Sequence, residues 1–275
     1  MSVSAAMEIL LNLPPVHIVV QAKAFATADR LVQNGMWSPN FERSHGKIRK
    51  KIENEVFEMP RDRLRPETGF TKLFETTLVS RAEWQDGWPA RLAWGDHVCF
   101  TDGSKMSESS GAGIHMPDLG IDESFYLGSL TSIFQAEVFA TLIGGLNMIP
   151  TEISGKKIYI CSDSEASIKA LSSPTVTSKM VKECKETLNR VGLRNHITLI
   201  WVPGHSGIEG NERADELARL GSSSRVFGPE SFVPVPQSVC NAAIESWIQS
   251  QHVQSWQSYP GGVHTKHFFQ GPNKK

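Results

Sequence analysis

The sequence has few of the patterns that mark secreted or zinc-binding proteins. Its 275 residues include only four cysteines, Cys99, Cys161, Cys184 and Cys240, and no two of them form a Cys-x-x-Cys pair. This wide spacing argues against both a structural zinc site and a disulfide framework. A reducing, intracellular compartment fits this cysteine usage, with nucleus and cytoplasm both left open, and we expect the protein not to be secreted.

Long apolar runs are also missing. Residues 9–20 are largely apolar, but Asn12 and the Pro14-Pro15 pair interrupt them, and no basic segment precedes them. They are therefore a poor signal peptide, and no run in the chain is long enough to span a bilayer, so we predict no membrane partner. Hydrophobic residues make up 40% and charged residues 21% of the chain, which is ordinary for a globular protein.

The formal net charge of −1 hides an uneven distribution of charge along the chain. Residues 1–95 carry 13 Lys and Arg against 11 Asp and Glu, and residues 223–275 carry 4 against 2. Residues 96–222 carry 11 against 16, so the middle segment is the acidic one, with a net charge of −5. Such a charge opposes binding to nucleic acid unless several of the carboxylates hold divalent cations.

These three segments are the predicted domains: an N-terminal helical and connector segment, a central domain and a C-terminal tail, with boundaries at 95/96 and 222/223. The N-terminal segment predicts helices on either side of Pro14-Pro15 and an irregular connector over residues 55–71. The basic residues at 47–51 indicate a solvated helix face more than a phosphate contact. The tail predicts one helix over residues 242–248.

Aromatic residues cluster at the border of the central domain. Trp84, Trp88 and Trp94 come just before the acidic segment begins. We expect these side chains to pack against the central domain, which is the commoner use of tryptophan, in preference to stacking on nucleic-acid bases.

The central segment has clear periodicity and predicts a mixed α/β fold. Its elements follow in the order β-β-β-α-β-α-α-β-α, with strands over residues 98–102, 111–116, 124–130, 157–163 and 197–202. The first three strands form an antiparallel meander and the last two run parallel, which makes a five-stranded mixed sheet flanked by helices. Right-handed crossovers would place the strand ending at Asp163 beside the strand ending at Asp102.

Four carboxylates fall at the ends of these elements. Asp102, followed by a Gly103-Ser104 turn signal, and Asp163 end their strands, and Glu137 lies in the first turn of a helix that opens with the capping box Ser132-Ile-Phe-Gln135. Four like charges so close together cannot all stay ionised without cations, and Mg²⁺ prefers oxygen ligands. A pair of Mg²⁺ ions would activate a water and stabilise a leaving oxygen in phosphodiester hydrolysis.

The fourth carboxylate belongs to the stretch of residues 201–220. A Pro and three Gly make a loop around His205, and Asn211 occupies a position typical of a helix N-cap. Asp215 is then expected in the first full turn of the helix, where the positive end of the helix dipole favours an ionised carboxylate. The loop can hold His205 over the same place, so the stretch predicts a site beneath a mobile loop.

Together these motifs resemble type 1 ribonuclease H across roughly residues 96–222. The resemblance rests on Gly204-His-Ser-Gly207, Asn211-Glu212 and Asp215-Glu-Leu-Ala218, preceded in order by Thr101-Asp-Gly-Ser104, Gln135-Ala-Glu137 and Ser162-Asp-Ser164. It implies an endonuclease that cleaves the RNA strand of RNA–DNA hybrids and leaves 5′-phosphates.

The same resemblance implies a role for each motif residue. Asp102, Glu137, Asp163 and Asp215 would be the catalytic ligands of two Mg²⁺ ions, with Mn²⁺ as an alternative, and His205 would assist proton transfer or product release. The residues implied to contact the substrate are Gly103, Ser104, Gln135, Ser164 and Asn211, with Asn211 capping and orienting more than ligating.

Two features depart from the cellular enzymes of this family. Amides that would contact sugar hydroxyls are replaced by Ile133 and Phe134, which leaves Gln135 as the one polar residue there. Only one helix fits between Val176 and Arg194, which leaves no room for a basic protrusion that grips the hybrid. We therefore expect weaker affinity for the substrate and unchanged chemistry.

The flanks extend the resemblance more loosely. The segment before Asp102, and a tail with Gly228-Pro-Glu230, Trp247 and Trp256, look like the surroundings of this domain in insect-type non-LTR retrotransposon polyproteins. This implies a reverse transcriptase domain as a partner in trans. Two alternatives stay open: a nuclease of the same fold that acts on another nucleic acid, as integrases and junction resolvases do, and a catalytically idle binding module.

Overall fold

A computed structural model describes residues 3–37, 46–92, 95–151, 153–224, 233–260, 266–267 and 271. The α-helices are α1 (Val3–Leu10), α2 (Val16–Gln33), α3 (Gly46–Arg49), α4 (Arg81–Gln85), α5 (Trp88–Leu92), α6 (Ile133–Met148), α7 (Glu165–Ser172), α8 (Lys179–Gly192), α9 (Glu209–Ser223) and α10 (Gln237–Ser258). The strands are β1 (Glu75–Thr77), β2 (His97–Lys105), β3 (Ser110–Met116), β4 (Ile121–Tyr126), β5 (Lys157–Ser162) and β6 (His196–Trp201).

The chain divides into two compact units. One unit is Pro60–Pro236, and the other combines Met1–Met59 with Gln237–Lys275. This division differs from the three predicted segments, because residues 60–95 and 233–236 belong to the same unit as the central domain. Their contacts explain the difference: Arg61 pairs with Val235 in a β-bridge, and β1 joins the central sheet.

The larger unit contains a mixed sheet with the strand order β1-β6-β5-β2-β3-β4. Strands β1, β6, β5 and β2 run parallel, and β2, β3 and β4 form the antiparallel meander. The α/β class and the predicted neighbours β2 and β5 are confirmed. The predicted number of five strands is wrong, since the sheet has a sixth strand. That strand, β1, is only three residues long and reads Glu-Thr-Thr, so it has no apolar alternation that marks it in the sequence.

Strand β2 continues past the point where the sequence predicts a turn. Gly103 and Ser104 lie inside the strand, where they pair with Ala112 and Gly111 of β3. The turn prediction at Gly103-Ser104 is therefore wrong, because the ladder with β3 supplies hydrogen-bonding partners that a local turn signal does not take into account. As a result, Asp102 lies in the middle of a paired strand, and the residues before and after it in β2 are both paired with β3.

Side chains of the central strands point alternately to two cores. Cys99, Ile160 and Leu199 contribute to one core cluster, whereas the next residues, Phe100, Cys161 and Ile200, contribute to the other. Helices α6, α7 and α8 supply residues to the first cluster. Trp84 is buried in the second cluster and Trp88 packs on it, as predicted. Trp94 lies outside the described residues.

Helix α9 lies very close to the antiparallel strands. A Cβ atom on Gly113 would come within 2.1 Å of the Ala214 carbonyl oxygen, so only glycine permits this approach. Gly221 makes a similar contact from the helix side, where a Cβ would lie 2.3 Å from the Phe125 carbonyl oxygen. A glycine near the end of a helix commonly marks its C-cap, but Gly221 lies inside α9, which continues to Ser223.

The smaller unit is helical. Helix α1 ends before the Pro14-Pro15 break and helix α2 begins after it, as predicted. The rings of Phe25 and Phe57 meet edge to face, with 4.6 Å between centroids. Helix α10 is longer than predicted, since polar residues continue it well beyond residue 248. Among the described residues, no helix combines the length and the apolar character that crossing a bilayer requires.

Candidate active site

Three carboxylates meet beside the carboxyl end of the central strands. Asp102 comes from β2, Asp163 follows the end of β5, and Glu137 lies in α6, which crosses the same strands. The prediction that Glu137 lies in the first turn of this helix is wrong, because α6 begins at Ile133 and places Glu137 in the second turn. One carboxylate oxygen of each residue lies within 4.8 Å of the other two. The predicted meeting of these three side chains therefore occurs in the structure.

The three carboxylates have few donors to stabilise their charge. Asp102 and Glu137 are only 5% and 6% exposed, and the Oε2 atom of Glu137 is buried without a hydrogen-bonding partner. Burial raises the pKa of Asp102 to about 8, with further contributions from the charges of Asp163 and Asp215. Burial, and then the charge of Asp102, also raises the pKa of Glu137.

This donor set suits a hard divalent cation. An unpartnered buried carboxylate oxygen beside two other carboxylates offers the all-oxygen coordination that Mg²⁺ and Mn²⁺ prefer. A bound cation would also offset the repulsion between carboxylates that, together with burial, raises the pKa of Asp102 and of Glu137. The residues present therefore fit the predicted metal.

Asp215 lies near this group but is held by a different partner. Its carboxylate pairs with Arg219 at 2.6 Å, one helical turn away, and its charge acts on the pKa of Asp102. The prediction that Asp215 lies in the first turn of its helix is wrong, because α9 begins at Glu209 and places it in the second turn. The close packing of α9 on β3 keeps Asp215 beside the sheet.

The helix begins earlier than predicted because a different residue supports its start. The N-cap of α9 is Ile208, which makes no side-chain cap bond, and Glu212 accepts a hydrogen bond from the Gly207 N–H at 3.0 Å. Asn211 is therefore inside the helix, and the prediction that it is the N-cap is wrong. Its side chain is 2% exposed, and its Oδ1 atom is buried without a partner.

The loop before α9 passes directly over Asp163. A Cβ atom on Gly204 would lie 2.5 Å from the Asp163 Oδ2 atom, so the loop backbone nearly touches this carboxylate. From the other side, the Trp201 Nε1–H donates to the Asp163 carbonyl oxygen at 2.9 Å. His205 is exposed and has a φ of 51°, a left-handed conformation that is uncommon outside glycine. These placements agree with the predicted loop over the site.

The remaining predicted substrate contacts differ in accessibility. Ser164 is partly exposed and caps α7, with its Oγ atom accepting from the Ser167 N–H. Gly103 lies against α6, where a Cβ would come within 2.6 Å of the Glu137 nitrogen. Ser104 is paired within β2 and accepts a hydrogen bond from the Ser222 hydroxyl at 3.3 Å.

Gln135 does not offer a free amide to a substrate. It is 1% exposed; its Oε1 atom accepts from the Ser132 N–H, and its Nε2 atom donates to Asp62 at 3.0 Å and to the Pro234 carbonyl at 2.8 Å. The predicted substrate contact therefore finds no free polar atom on this side chain, because each of them is bonded inside the protein. The capping box that it forms with Ser132 is confirmed.

Sequence reasoning missed Asp62 altogether. Its carboxylate binds the side chains of Ser178 and Gln135 and the Met180 N–H, and so joins the starts of α6 and α8. Nothing in the sequence around Asp62 indicates this role, since the residue lies in a connector without periodicity.

Comparisons with known proteins agree with this site. The family model described as RNase H matches residues 95–223. A protein named Ribonuclease H from Mesorhizobium japonicum is 36% identical over 90 residues, which cover 31% of this chain and 49% of the relative. A Ribonuclease H from Jannaschia is 47% identical over 49 residues, covering 17% of this chain and 31% of the relative. The chain thus spans about half or less of the length of these curated relatives.

A solved structure was also found. The crystal structure of RNase H1 from the halophilic archaeon Halobacterium salinarum aligns with 46% of this chain and 96% of that chain, with 19% identity and a TM-score of 0.37. The family match covers β2 to α9, and with them all four predicted carboxylates. Residues 95–223 of this chain match the RNase H family model and have an RNase H-like fold, a mixed sheet flanked by helices.

Proposed function

We propose that this protein is a metal-dependent endonuclease that hydrolyses the RNA strand of RNA–DNA hybrids. The observation that carries the proposal is the group of Asp102, Glu137 and Asp163, whose oxygens lie within 4.8 Å of one another in an RNase H domain. A structural role would require donors for these carboxylates, and the buried Oε2 atom of Glu137 has none. Such an arrangement is costly for stability and serves a cation.

The proposed reaction is an in-line displacement at phosphorus. Water attacks the phosphorus, the P–O3′ bond breaks, and the products are a 3′-hydroxyl and a 5′-phosphate. Two Mg²⁺ ions, when bound, would supply the charge that activates the water and stabilises the leaving oxygen. Asp102, Glu137 and Asp163 would hold them, and Asp215 would be the fourth ligand once released from Arg219.

His205 is proposed to move a proton or to assist product release. Its loop position above Asp163 and its exposure leave the imidazole free to reach the reacting groups. An imidazole has one ring nitrogen that can accept a proton and one that can donate a proton, so this side chain can transfer protons in either direction. This role does not require His205 to bind metal.

Contacts with the hybrid are proposed at the rim of the site. Ser164 is partly exposed there and residues 205–207 are exposed, whereas Gln135 is buried. Between α8 and β6 the described chain has only residues 193–195, so it contains no basic protrusion at that position. We therefore propose that residues outside 95–223 supply part of the phosphate contacts.

The test is a cleavage assay with labelled substrates. The full chain is incubated with RNA–DNA hybrid, duplex RNA and duplex DNA, each with Mg²⁺, with Mn²⁺ and with a chelator. We expect cleavage of the RNA strand of the hybrid only, and loss of cleavage with the chelator. Cleavage of another substrate would favour a different nuclease of this fold, and binding without cleavage would favour an idle binding module.

A retrotransposon origin and a reverse transcriptase partner in trans are proposals that rest on sequence resemblance alone. What supports them is the composition of the flanks, with Trp247 and Trp256 in α10. Gly228-Pro-Glu230 lies outside the described residues. The relatives found are named Ribonuclease H, and they cover 31% and 17% of this chain. The intracellular location is likewise proposed, supported by four free, buried cysteines.

A further inference from the structure

A carboxylate outside the matched residues is tied to the start of the helix that carries Glu137. Asp62 accepts hydrogen bonds from the Gln135 Nε2 atom at 3.0 Å, from the Ser178 hydroxyl at 2.8 and 2.9 Å, and from the Met180 N–H at 3.0 Å. Ser178 is the N-cap of α8. One half-buried side chain therefore joins the first turns of α6 and α8.

The segment that carries Asp62 is itself held in place. The Asp62 N–H donates to the Val235 carbonyl at 3.0 Å, and the Val235 N–H donates to the Pro60 carbonyl at 2.9 Å. Pro234, next to this pair, supplies the carbonyl that accepts the second N–H of the Gln135 amide. Residues 60–62 and 233–235, which lie on either side of the family match, thus form one clasp on α6, and we call it the Asp62 clasp.

The clasp fixes the turn of α6 that precedes Glu137. Gln135 is two residues before Glu137, so its side chain leaves the helix on a different face, away from the carboxylate cluster. Its amide has no free donor and its carbonyl oxygen binds Ser132, which defines both the rotation and the axial position of this turn. The direction in which Glu137 points therefore depends on bonds made on the other side of the helix.

We propose that Asp62 is a positioning residue for the metal-binding carboxylates, acting through Gln135 and the first turn of α6. This inference rests on the proposed function and deepens it. In this chain Gln135 holds the helix that presents Glu137, and it does not contact the hybrid. The Asp62 clasp thereby makes the flanks part of the catalytic unit.

The test compares four variants of the full chain. Asp62→Asn and Gln135→Met break the bond to α6. Ser178→Ala removes the hydroxyl that joins Asp62 to the N-cap of α8, and keeps the bonds of Asp62 to the Met180 N–H and to Gln135. Asp96→Asn is a matched control at the other end of the sheet, where Asp96 also accepts a backbone N–H and a side-chain N–H. Each variant is measured for melting temperature, Mg²⁺ affinity by calorimetry, amide hydrogen exchange in α6 without metal, and kcat and KM.

We expect the two α6 variants to bind Mg²⁺ about 10-fold more weakly, at the low end of the effect of residues that orient metal ligands. Their α6 amides should exchange faster and kcat should fall, while KM for the hybrid stays unchanged. Ser178→Ala and Asp96→Asn should lower the melting temperature and leave Mg²⁺ affinity unchanged. If Asp62→Asn does not fold, Gln135→Met decides the question alone.

Three results would overturn the inference. Unchanged Mg²⁺ affinity and α6 exchange in both α6 variants would show that the clasp does not position Glu137. Equal effects of Ser178→Ala and Asp62→Asn would reduce Asp62 to a helix cap. A raised KM with unchanged kcat in Gln135→Met would make Gln135 a substrate contact. If the wild type cleaves no hybrid, the Mg²⁺ and exchange measurements still test Asp62, so failure of the proposed function is seen separately.

Discussion

Asp96 and Asp102 stand at opposite ends of the same stretch of chain and have opposite environments. Asp96 precedes β2, is partly exposed, and accepts hydrogen bonds from the Lys157 N–H at 2.9 Å and the Lys156 Nζ atom at 3.2 Å. These donors, the Lys157 N–H first, lower the pKa of Asp96. Asp102 lies within β2, is buried beside other carboxylates, and has its pKa raised to about 8.

The difference is the one we expect between a structural carboxylate and a proposed metal ligand. At the Asp96 end of the sheet, cationic and backbone donors satisfy the acid and fasten β2 to β5. At the Asp102 end, the neighbouring charges are those of Asp163 and Asp215, and these negative charges oppose the ionisation of Asp102. The folded state can contain such a destabilising cluster only if the rest of the domain provides enough stability to offset its cost. This situation is typical of an active site.

The largest expected effect is on catalysis, and it should appear at one end of the sheet only. Asp102→Asn and Asp163→Asn each remove a metal-binding charge and should lower kcat by more than about 100-fold, since even residues that merely orient ligands cost 10–100-fold. Asp96→Asn should retain activity. The measurement is hybrid cleavage at saturating Mg²⁺, with folding checked by circular dichroism. Full activity in Asp102→Asn would refute the two-metal assignment.

His205 should give a smaller loss of a different kind. His205→Ala removes proton transfer but no proposed ligand, and general acid–base assistance is worth about 10²–10⁴-fold in rate. We expect kcat to fall by about 10²-fold while Mg²⁺ affinity, measured by calorimetry, stays that of the wild type. Loss of Mg²⁺ binding would mean that His205 ligates metal or supports the loop. His196→Ala, on the exposed start of β6, is the matched control.

Local patterns predicted much of this architecture. The Ser132-Ile-Phe-Gln135 capping box located the start of α6, and the order of strands and helices located the junction of β2 and β5. The first depends on hydrogen bonds between residues close in sequence, and the second depends on the right-handedness of crossover connections between parallel strands. The three close carboxylates follow from that topology, which explains why they could be predicted without the structure.

What the sequence did not reveal depends on contacts between distant segments. Asp62 meets Gln135 and Ser178 only after folding, so its surroundings in the sequence carry no sign of its partners. Lys185 is buried although lysine is normally exposed, and its Nζ atom donates to the Ser173 carbonyl and lies 4.5 Å from the centroid of the Phe70 ring. A polar residue type cannot indicate that a distant carbonyl and ring will receive it.

The two ends of the sheet also differ in what a glycine packs against. A Cβ on Gly204 would lie 2.5 Å from Asp163 Oδ2, and a Cβ on Gly95 would lie 2.6 Å from the Tyr159 ring. Gly204→Ala should displace the Asp163 carboxylate and weaken Mg²⁺ binding by about 10-fold, with little change in stability, because the displaced atom ends a side chain. Gly95→Ala should leave Mg²⁺ binding intact. Calorimetry of both variants is the measurement.

The smallest expected effect concerns stability and pH in the metal-free protein. Burial raises the pKa of Asp102 in the folded state from its ordinary value of 3.8 to about 8, so between these values the folded state holds a proton that the unfolded state has released. The free energy of unfolding contributed by this group must therefore fall as the pH rises through that window. For Asp96 the dependence of stability on pH has the opposite sign. Its lowered pKa contributes to the free energy of unfolding above pH 3.8, and this contribution is lost on acidification.

Thermal melts from pH 4 to 9 in the presence of a chelator separate the two residues. Asp102→Asn cannot release a proton, so its melting temperature should decline less with pH and exceed that of the wild type at pH 8 by about 2–4 °C, the shift that about 1 kcal/mol produces in a domain of this size. Asp96→Asn should melt lower than the wild type at pH 7 and approach it at pH 4. Parallel curves for Asp102→Asn and wild type would show that the carboxylate cluster is not strained. A higher melting temperature of Asp102→Asn would support the proposed cation site, because the substitution removes the same repulsion between carboxylates that a bound metal would offset.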